Sequence, residues 1–140
     1  DWRIDGCPHH GGALAADERG NLHMVWFTQG QARKGLFYRR HDGRAFSAPH
    51  KFGNDEAQAG HPSVIATGRT ITVAWLEFDG RANRVWAMQS RDGGRHWAKP
   101  RSLASSEGAV DYPILLARQG RPWLVWHAER EGLRTMALAK

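Results

Sequence analysis

One cysteine, Cys7, stands in the 140 residues, so no disulfide can close within the chain and cysteine usage does not fix a redox compartment. Long apolar runs are missing too. Hydrophobic residues make up 41% of the sequence, yet nowhere do they approach the roughly 18 consecutive residues of a membrane-spanning helix, so a chain that is not membrane-spanning is expected. No segment sustains an apolar period of 3.6 residues, which argues against any long helix. Acidic residues are outnumbered, 14 Asp and Glu against 20 Lys and Arg, for a net charge of +6. The basic residues are nevertheless spread singly (Arg39, Arg69, Arg84, Arg118 and Arg134 among them). There is no dense run and no aromatic RNP or OB-type pattern, so nucleic acid is not an expected partner. A mildly positive face remains compatible with anionic sugars or lipids.

What the sequence does have is a threefold echo. Three apolar strands end in tryptophan, Leu22 to Trp26, Ile71 to Trp75 and Trp123 to Trp126, at a step of about fifty residues that signals stacked repeats. Asp42-Gly43 recurs at Asp92-Gly93 with the same step. Each copy opens with a loop ending in His or Tyr (His9-His10, His61-Pro62, Tyr112-Pro113), followed by a small-residue apolar strand, a tight turn and the Trp-ending strand. A third strand follows at Gly35 to Arg39, Arg84 to Gln89 and Leu133 to Leu138. A short fourth is read at Trp2 to Ile4, Lys51 to Phe52 and Arg101 to Leu103. Four antiparallel strands of about 4 to 6 residues make the blade of a β-propeller. The fold class expected is therefore all-β, a β-propeller of four-stranded antiparallel blades, with about three blades in this chain.

Ser90-Arg91-Asp92-Gly93-Gly94-Arg95-His96-Trp97 resembles the Asp-box, or BNR repeat, at all four fixed positions: Ser90, Asp92, Gly94 and Trp97. A worn copy, with Asp42, Gly43 and Phe46, sits at the same place in the first repeat. On these motifs nearly the whole chain resembles sialidase-like propellers. The resemblance implies a periplasmic or extracellular location and a structural role for the boxes. Their Asp would accept backbone N–H bonds, the Gly would supply positive φ and the aromatic would pack back between the outer strands. Residues 1–140 are read as a single partial propeller with repeats at 8–52, 60–103 and 111–140, residues 1–7 giving the outer strand of a preceding or closing blade. Three blades do not close a ring. The chain is thus read as the C-terminal half of a six-bladed propeller, its second half coming from a missing part of the chain or from a homodimer mate.

Chemistry is expected where blades converge. The loops entering the first strands carry Cys7, His9, His10, His61, Asp111 and Tyr112, and Glu77, Asp79, His127 and Glu129 just follow the Trp-ending strands. Three readings compete for this cluster. The preferred one is a module that binds a glycan or protein partner without catalysis, through His10, His61, His127 and Asp79. Trp86, Trp123 and Phe78 then either stack on sugar or fill the core between blades. The second is a sialidase-type glycoside hydrolase. The resemblance implies an arginine triad, an acid/base carboxylate and a Tyr-Glu nucleophile pair. Catalytic candidates are Tyr112, Glu77, Glu129 and Asp111, but the Arg-Ile-Pro motif of that family is absent, and Arg121-Pro122 falls in a turn. The third is a Zn or Cu site from Cys7, His9, His10 and His61. Against it, Cys7 beside Pro8 also suits a small buried hydrophobe, and adjacent histidines on extended chain point to opposite sides. No other cofactor is expected.

Overall fold

The computed structural model describes Arg3 and residues 11–139. Eleven strands lie in order along the described chain, interrupted by one 3₁₀ turn at Asp55–Ala57. They form three antiparallel meanders. The first joins β1 (Ala13–Ala16), β2 (Leu22–Gln29), β3 (Lys34–His41) and β4 (His50–Phe52). The second joins β5 (Gly60–Thr67), β6 (Thr70–Phe78), β7 (Asn83–Ser90) and β8 (Arg101–Ser106). The third joins β9 (Ile114–Arg118), β10 (Arg121–Ala128) and β11 (Gly132–Ala137). The innermost strands β1, β5 and β9 touch in succession. These are three blades of a β-propeller, the third holding three strands among the described residues. The outer strand expected at Trp2 to Ile4 lies, apart from Arg3, outside them.

Each blade is drawn as a sheet because its residues alternate, and each alternation is apolar on both sides. The Trp-ending strands in fact run on past their tryptophans, through Phe27, Leu76 and His127. Polar side chains hid this continuation, since Glu77 and His127 read as loop yet keep the strand period. Trp75 is buried between blades, edge-on to Phe52 at 5.1 Å and stacked with Trp86 at 6.5 Å. Trp86 therefore belongs to the core rather than to a sugar-facing surface. Trp123 instead lies on the side of the third blade away from the second, with the Arg118 guanidinium 5.4 Å over its ring. Phe78 is half-buried at the end of β6.

The turn from Ser90 to Trp97 joins β7 to β8 and also clamps two blades. Asp92 Oδ1 accepts bonds from Arg95 N at 3.0 Å and His96 N at 2.9 Å, while Ser90 Oγ donates to Asp92 and accepts from Gly94 N, each at 2.8 Å. These bonds from His96 and Ser90 hold the Asp92 carboxyl well below the usual range. Trp97 does not pack back within its own blade, as expected, but crosses to the first. It meets Tyr38 edge-on at 4.7 Å and stacks on His50 at 5.9 Å. Gly94 has φ +82, and a Cβ there would run into the Tyr38 hydroxyl. The first-repeat copy keeps the Asp42 bonds to Arg44 N and Ala45 N, both 3.0 Å. Its Phe46 has no preceding blade among the described residues and stays exposed beside His41 and Arg39.

Tyr38 anchors a second, buried network. Its hydroxyl lies 2.7 Å from His23 Nδ1, and His23 Nε2 lies 3.3 Å from Asp17 Oδ2. The Nε2–H tautomer satisfies both contacts, with Tyr38 donating to Nδ1. Burial pushes the Tyr38 phenol up, so its proton stays in place. Burial also lowers His23 below 6.5, and the nearby Arg40 charge acts the same way, although Asp17 opposes both. For Asp17 burial raises the pKa, but bonds from Asn21, His23 and Arg19 outweigh it and hold the group at about 2.

Two outcomes follow from these clamps. Gly94→Ala will lose stability twice over, by left-handed backbone strain of about 1–2 kcal/mol and by overpacking against Tyr38 of about 1–3 kcal/mol. Gly93→Ala, also at positive φ but in open space, will lose only the first, and urea midpoints of the two variants will separate them. Stability will also fall with acidification in two stages. The unfolded His23 takes up a proton near 6.5 while the folded one resists, so the first loss begins as pH drops below 6.5. The Asp17 contribution is complete above 3.8 and disappears as pH falls towards 2. His23→Gln will shrink the upper stage of a urea-midpoint profile, leaving the part that comes from His50, which burial also lowers, and the lower stage.

Candidate functional site

The connections between blades, residues 53–59 and 107–113, leave the sheets at the same end as the loops 30–33, 79–82 and 129–131, because every blade is an up-and-down meander. Turns 17–21 and 42–49 lie at the opposite end with Ser90 to Trp97. The sequence-predicted site residues within the described chain all fall at the first end, and the structure sorts them into two groups.

His61, Asp111, Tyr112 and Glu129 are brought together, whereas the His127 side chain, in register with Leu133, lies on the face of β10 turned away from the second blade. The segment before β9 runs alongside the end of β10: Asp111 N donates to His127 O and Glu129 N to Ala109 O, both at 2.8 Å. A bridge pairs Val110 with Ala128. The Glu129 carboxylate accepts a bond from Ala109 N at 3.2 Å, and that of Asp111 from Tyr112 N at 2.8 Å. This short pairing holds Tyr112 beside the next blade inward. There β5 carries a bulge between Gly60 and Ser63, with His61 at φ +52. A left-handed φ on a non-glycine residue is uncommon and gathers at sites where a side chain must be aimed. The consequence here is visible: the His61 ring stacks on Tyr112 at 3.8 Å and 14° between planes. Tyr112 remains exposed. The pair forms an aromatic shelf across the seam between second and third blades, with Asp111 at its side.

Glu77 and Asp79 are committed elsewhere. Glu77 lies within β6, buried, and its Oε1 accepts bonds from the Trp75 indole at 2.8 Å and from Asn54 N at 2.9 Å. It joins the second blade to the connection that leaves the first, and the Tyr112 ring has His61 rather than Glu77 as its stacking partner. Asp79 closes its own loop, accepting from Arg81 N at 3.0 Å and Ala82 N at 2.9 Å, and meets Arg84 at 2.6 Å. The bonds from Ala82 and Arg81 lower its pKa ahead of the Arg84 charge. Cys7, His9 and His10 lie outside the described residues. Among the described residues no three His, Cys, Asp or Glu side chains are grouped so as to hold a metal ion.

Sequence reading did not single out Glu107. It lies 3.2 Å from Arg130 and 3.6 Å from Arg81, tying the loops of two blades at the rim. Such exposed pairs contribute about 0–1 kcal/mol, and partners in separate repeats leave no local signal.

No family model and no curated sequence matches the chain. Solved structures do. The GH93 α-L-arabinofuranosidase of Fusarium graminearum, in complex with arabinobiose, superposes with a TM-score of 0.64 at 14% identity, over 90% of this chain and 43% of that one. An α-L-arabinanase of Penicillium chrysogenum, also complexed with arabinobiose, gives 0.63 at 15%, over 90% and 44%. The NanB sialidase of Streptococcus pneumoniae gives 0.54 at 18%, over 81% and 18%. The likeness is one of fold. The chain spans less than half the length of each of these proteins.

If Glu77 is a structural acceptor, Glu77→Ala will strand two buried donors and cost about 2–4 kcal/mol, whereas Glu77→Gln, which keeps an acceptor oxygen, will recover much of it. Chemical denaturation of the two variants measures the difference. Equal stability of both with the parent would remove Glu77 from this role.

Proposed function

We propose that this chain is a sialidase-like β-propeller module, with an Asp-box of the BNR type at Ser90, Asp92, Gly94 and Trp97, that binds a glycan at the loop end around His61 and Tyr112. The observation that carries the reading is the stacked His61–Tyr112 shelf, in which Tyr112 is exposed. A flat aromatic face beside a carboxylate suits a sugar ring, whose C–H face lies on the aromatic while its hydroxyls reach polar neighbours. Asp111 supplies an acceptor, and Glu129 extends the polar margin. The strained backbone at His61 supports it further, since the shelf depends on that bulge. Location in the periplasm or outside the cell follows from the same resemblance and is part of the proposal. The likeness to propellers whose names include arabinofuranosidase, arabinanase and sialidase supports glycans as the ligand class.

A second reading, a glycoside hydrolase, is favoured by the same names. Of the four catalytic candidates, Asp111, Tyr112 and Glu129 remain available to it at the shelf. Glu77 is already engaged by Trp75 and Asn54.

An array of arabino- and sialyl-oligosaccharides will identify a bound glycan, and titration calorimetry with that oligosaccharide will then compare variants. Tyr112→Ala is expected to weaken binding about tenfold or more, the loss of one aromatic platform. Phe46→Ala, an exposed aromatic at the other end, will bind as the parent does. Equal affinity of Tyr112→Ala and parent, or no glycan bound at all, overturns the proposal. Release of monosaccharide from the bound oligosaccharide, abolished by Tyr112→Phe, would replace binding by hydrolysis.

A further inference from the structure

Charge is divided unevenly between the two ends of the blades. At the end of His61 and Tyr112, basic side chains are answered by carboxylates: Lys51 meets Asp55 and Arg84 meets Asp79, both at 2.6 Å, while Arg81 and Arg130 share Glu107 at 3.6 and 3.2 Å. At the opposite end Arg19, Arg44, Arg69, Arg95, Arg118 and Arg121 are all exposed, and among the described residues none of them is ion-paired. The aspartates of that end are taken up by the backbone instead. Asp17 accepts from Arg19 N at 2.9 Å, Asp42 from Arg44 N at 3.0 Å and Asp92 from Arg95 N at 3.0 Å. Each takes the main-chain N–H of an arginine in its own turn and leaves the guanidinium without a counter-ion. Glu18 is the one carboxylate described there that takes no such bond.

These arginines are also ordered. Arg19, Arg69 and the pair Arg118 and Arg121 stand at the three equivalent inner turns, β1 to β2, β5 to β6 and β9 to β10. Because β1, β5 and β9 touch in succession, the turns follow one another at a spacing on the order of the 10 Å that separates packed sheets. Arg44 and Arg95 stand in the outer turns of the first and second blades, and in the second Gly93 N donates to Arg69 O at 3.0 Å, tying outer turn to inner. In the third blade Arg118 is the register partner of Arg121 across the tight turn Gln119-Gly120, whose φ values are +51 and +66. Like charges directly opposite each other on a ladder repel. No carboxylate relieves this pair, and an anion bound between the two would.

We infer that this end of the blades is a second binding surface, for an acidic polysaccharide whose carboxylate or sulfate groups lie along the row of inner turns. Arginine suits such groups because its planar fork of N–H donors meets an oxyanion with two bonds at once. The spacing favours a polymer charged once per sugar or sugar pair over duplex DNA, which presents about one charge per 1.7 Å of helix axis. Single-stranded nucleic acid lacks a platform, since the ring of Phe46, exposed at this end, already has His41 and Arg39 against it. The surface lies at the far end of the sheets from the His61–Tyr112 shelf and stands whether or not a glycan is bound there.

Titration calorimetry of the intact chain with polygalacturonate and with heparin, over a series of salt concentrations, tests this. Binding to at least one of the two is expected, with an affinity that falls steadily as salt rises. Arg19→Gln, Arg69→Gln and Arg121→Gln combined will weaken it about tenfold or more and flatten the salt dependence. Each of these side chains is exposed, so circular dichroism will remain that of the parent. Arg33→Gln, Lys34→Gln and Arg81→Gln combined remove the same charge from the other end and will bind within about twofold of the parent. Failure of both polymers to bind at low salt, or equal losses from the two triple variants, overturns the inference. So does tighter binding to duplex DNA or to vesicles of anionic lipid than to either polysaccharide.

Discussion

A sheet that is apolar on both faces must be covered on both faces, and almost everything in this chain depends on that. Antiparallel sheets commonly keep one side wet, but the strands here place Val25 and Trp26, or Ala74 and Trp75, on opposite sides of the same blade, with Val25, Ala74 and Trp75 fully dry. Burial of one such aliphatic or aromatic side chain contributes about 1.5–3 kcal/mol, which a lone meander forfeits on one side at every second residue. Stacking blade on blade is the solution, and the repeat of about fifty residues is its trace in the sequence. The box turn is subordinate to the same demand. Gly94 and Trp97 do not merely close a hairpin: they receive Tyr38 from the neighbouring blade, and Tyr38 in turn is held by His23 and Asp17.

How much of this was legible follows from how local each signal is. The meander and the three blades were readable from Trp26, Trp75 and Trp126 and from the Asp-Gly pairs, because strand alternation and turn chemistry are written within a few residues. Strand ends are not legible where a polar residue continues the alternation. Glu77 reads as the start of a loop, yet its side chain is buried in β6, where Trp75 and Asn54 both donate to it. Likewise the direction in which Trp97 packs was not readable, for it depends on Tyr38 in another repeat. His23 passed as one more member of an apolar strand, since the partners that make it a buried polar node sit at positions 17 and 38.

The candidate site shows the same limit. His61, Asp111, Tyr112, His127 and Glu129 were all drawn to one end of the fold by counting strands, which is a topological deduction and needs no side-chain detail. That His61 should turn to φ +52 and lay its ring on Tyr112 was beyond such counting. The reason is the bulge in β5, which shifts register between Gly60 and Ser63 and re-aims one side chain. Sequence separates site residues from core residues poorly here because both are aromatic. Trp86 and Tyr112 look alike as stacking surfaces, and only the presence of a neighbouring blade over Trp86 tells them apart.

Position around the axis gives the shelf its meaning. Tyr112 belongs to the connection between second and third blades and His61 to the inner strand of the second, so the shelf spans a seam and exists only while that seam is packed. Leu115 N donates to Ser63 Oγ across the same seam at 3.1 Å, two residues from His61 in one direction and three from Tyr112 in the other. A joint that stabilises the fold therefore also sets the spacing of the two rings. Function on such a scaffold is carried by whichever loops the seam brings into register, while the blades beneath are free to be near-copies of one another. The first seam, with Asn54 and Glu77 at the corresponding level, spends its polar groups on holding blades together. The second leaves Tyr112 exposed with His61 half-buried against it, and that asymmetry between two joints of the same build is why the proposed glycan site is put at the His61–Tyr112 seam.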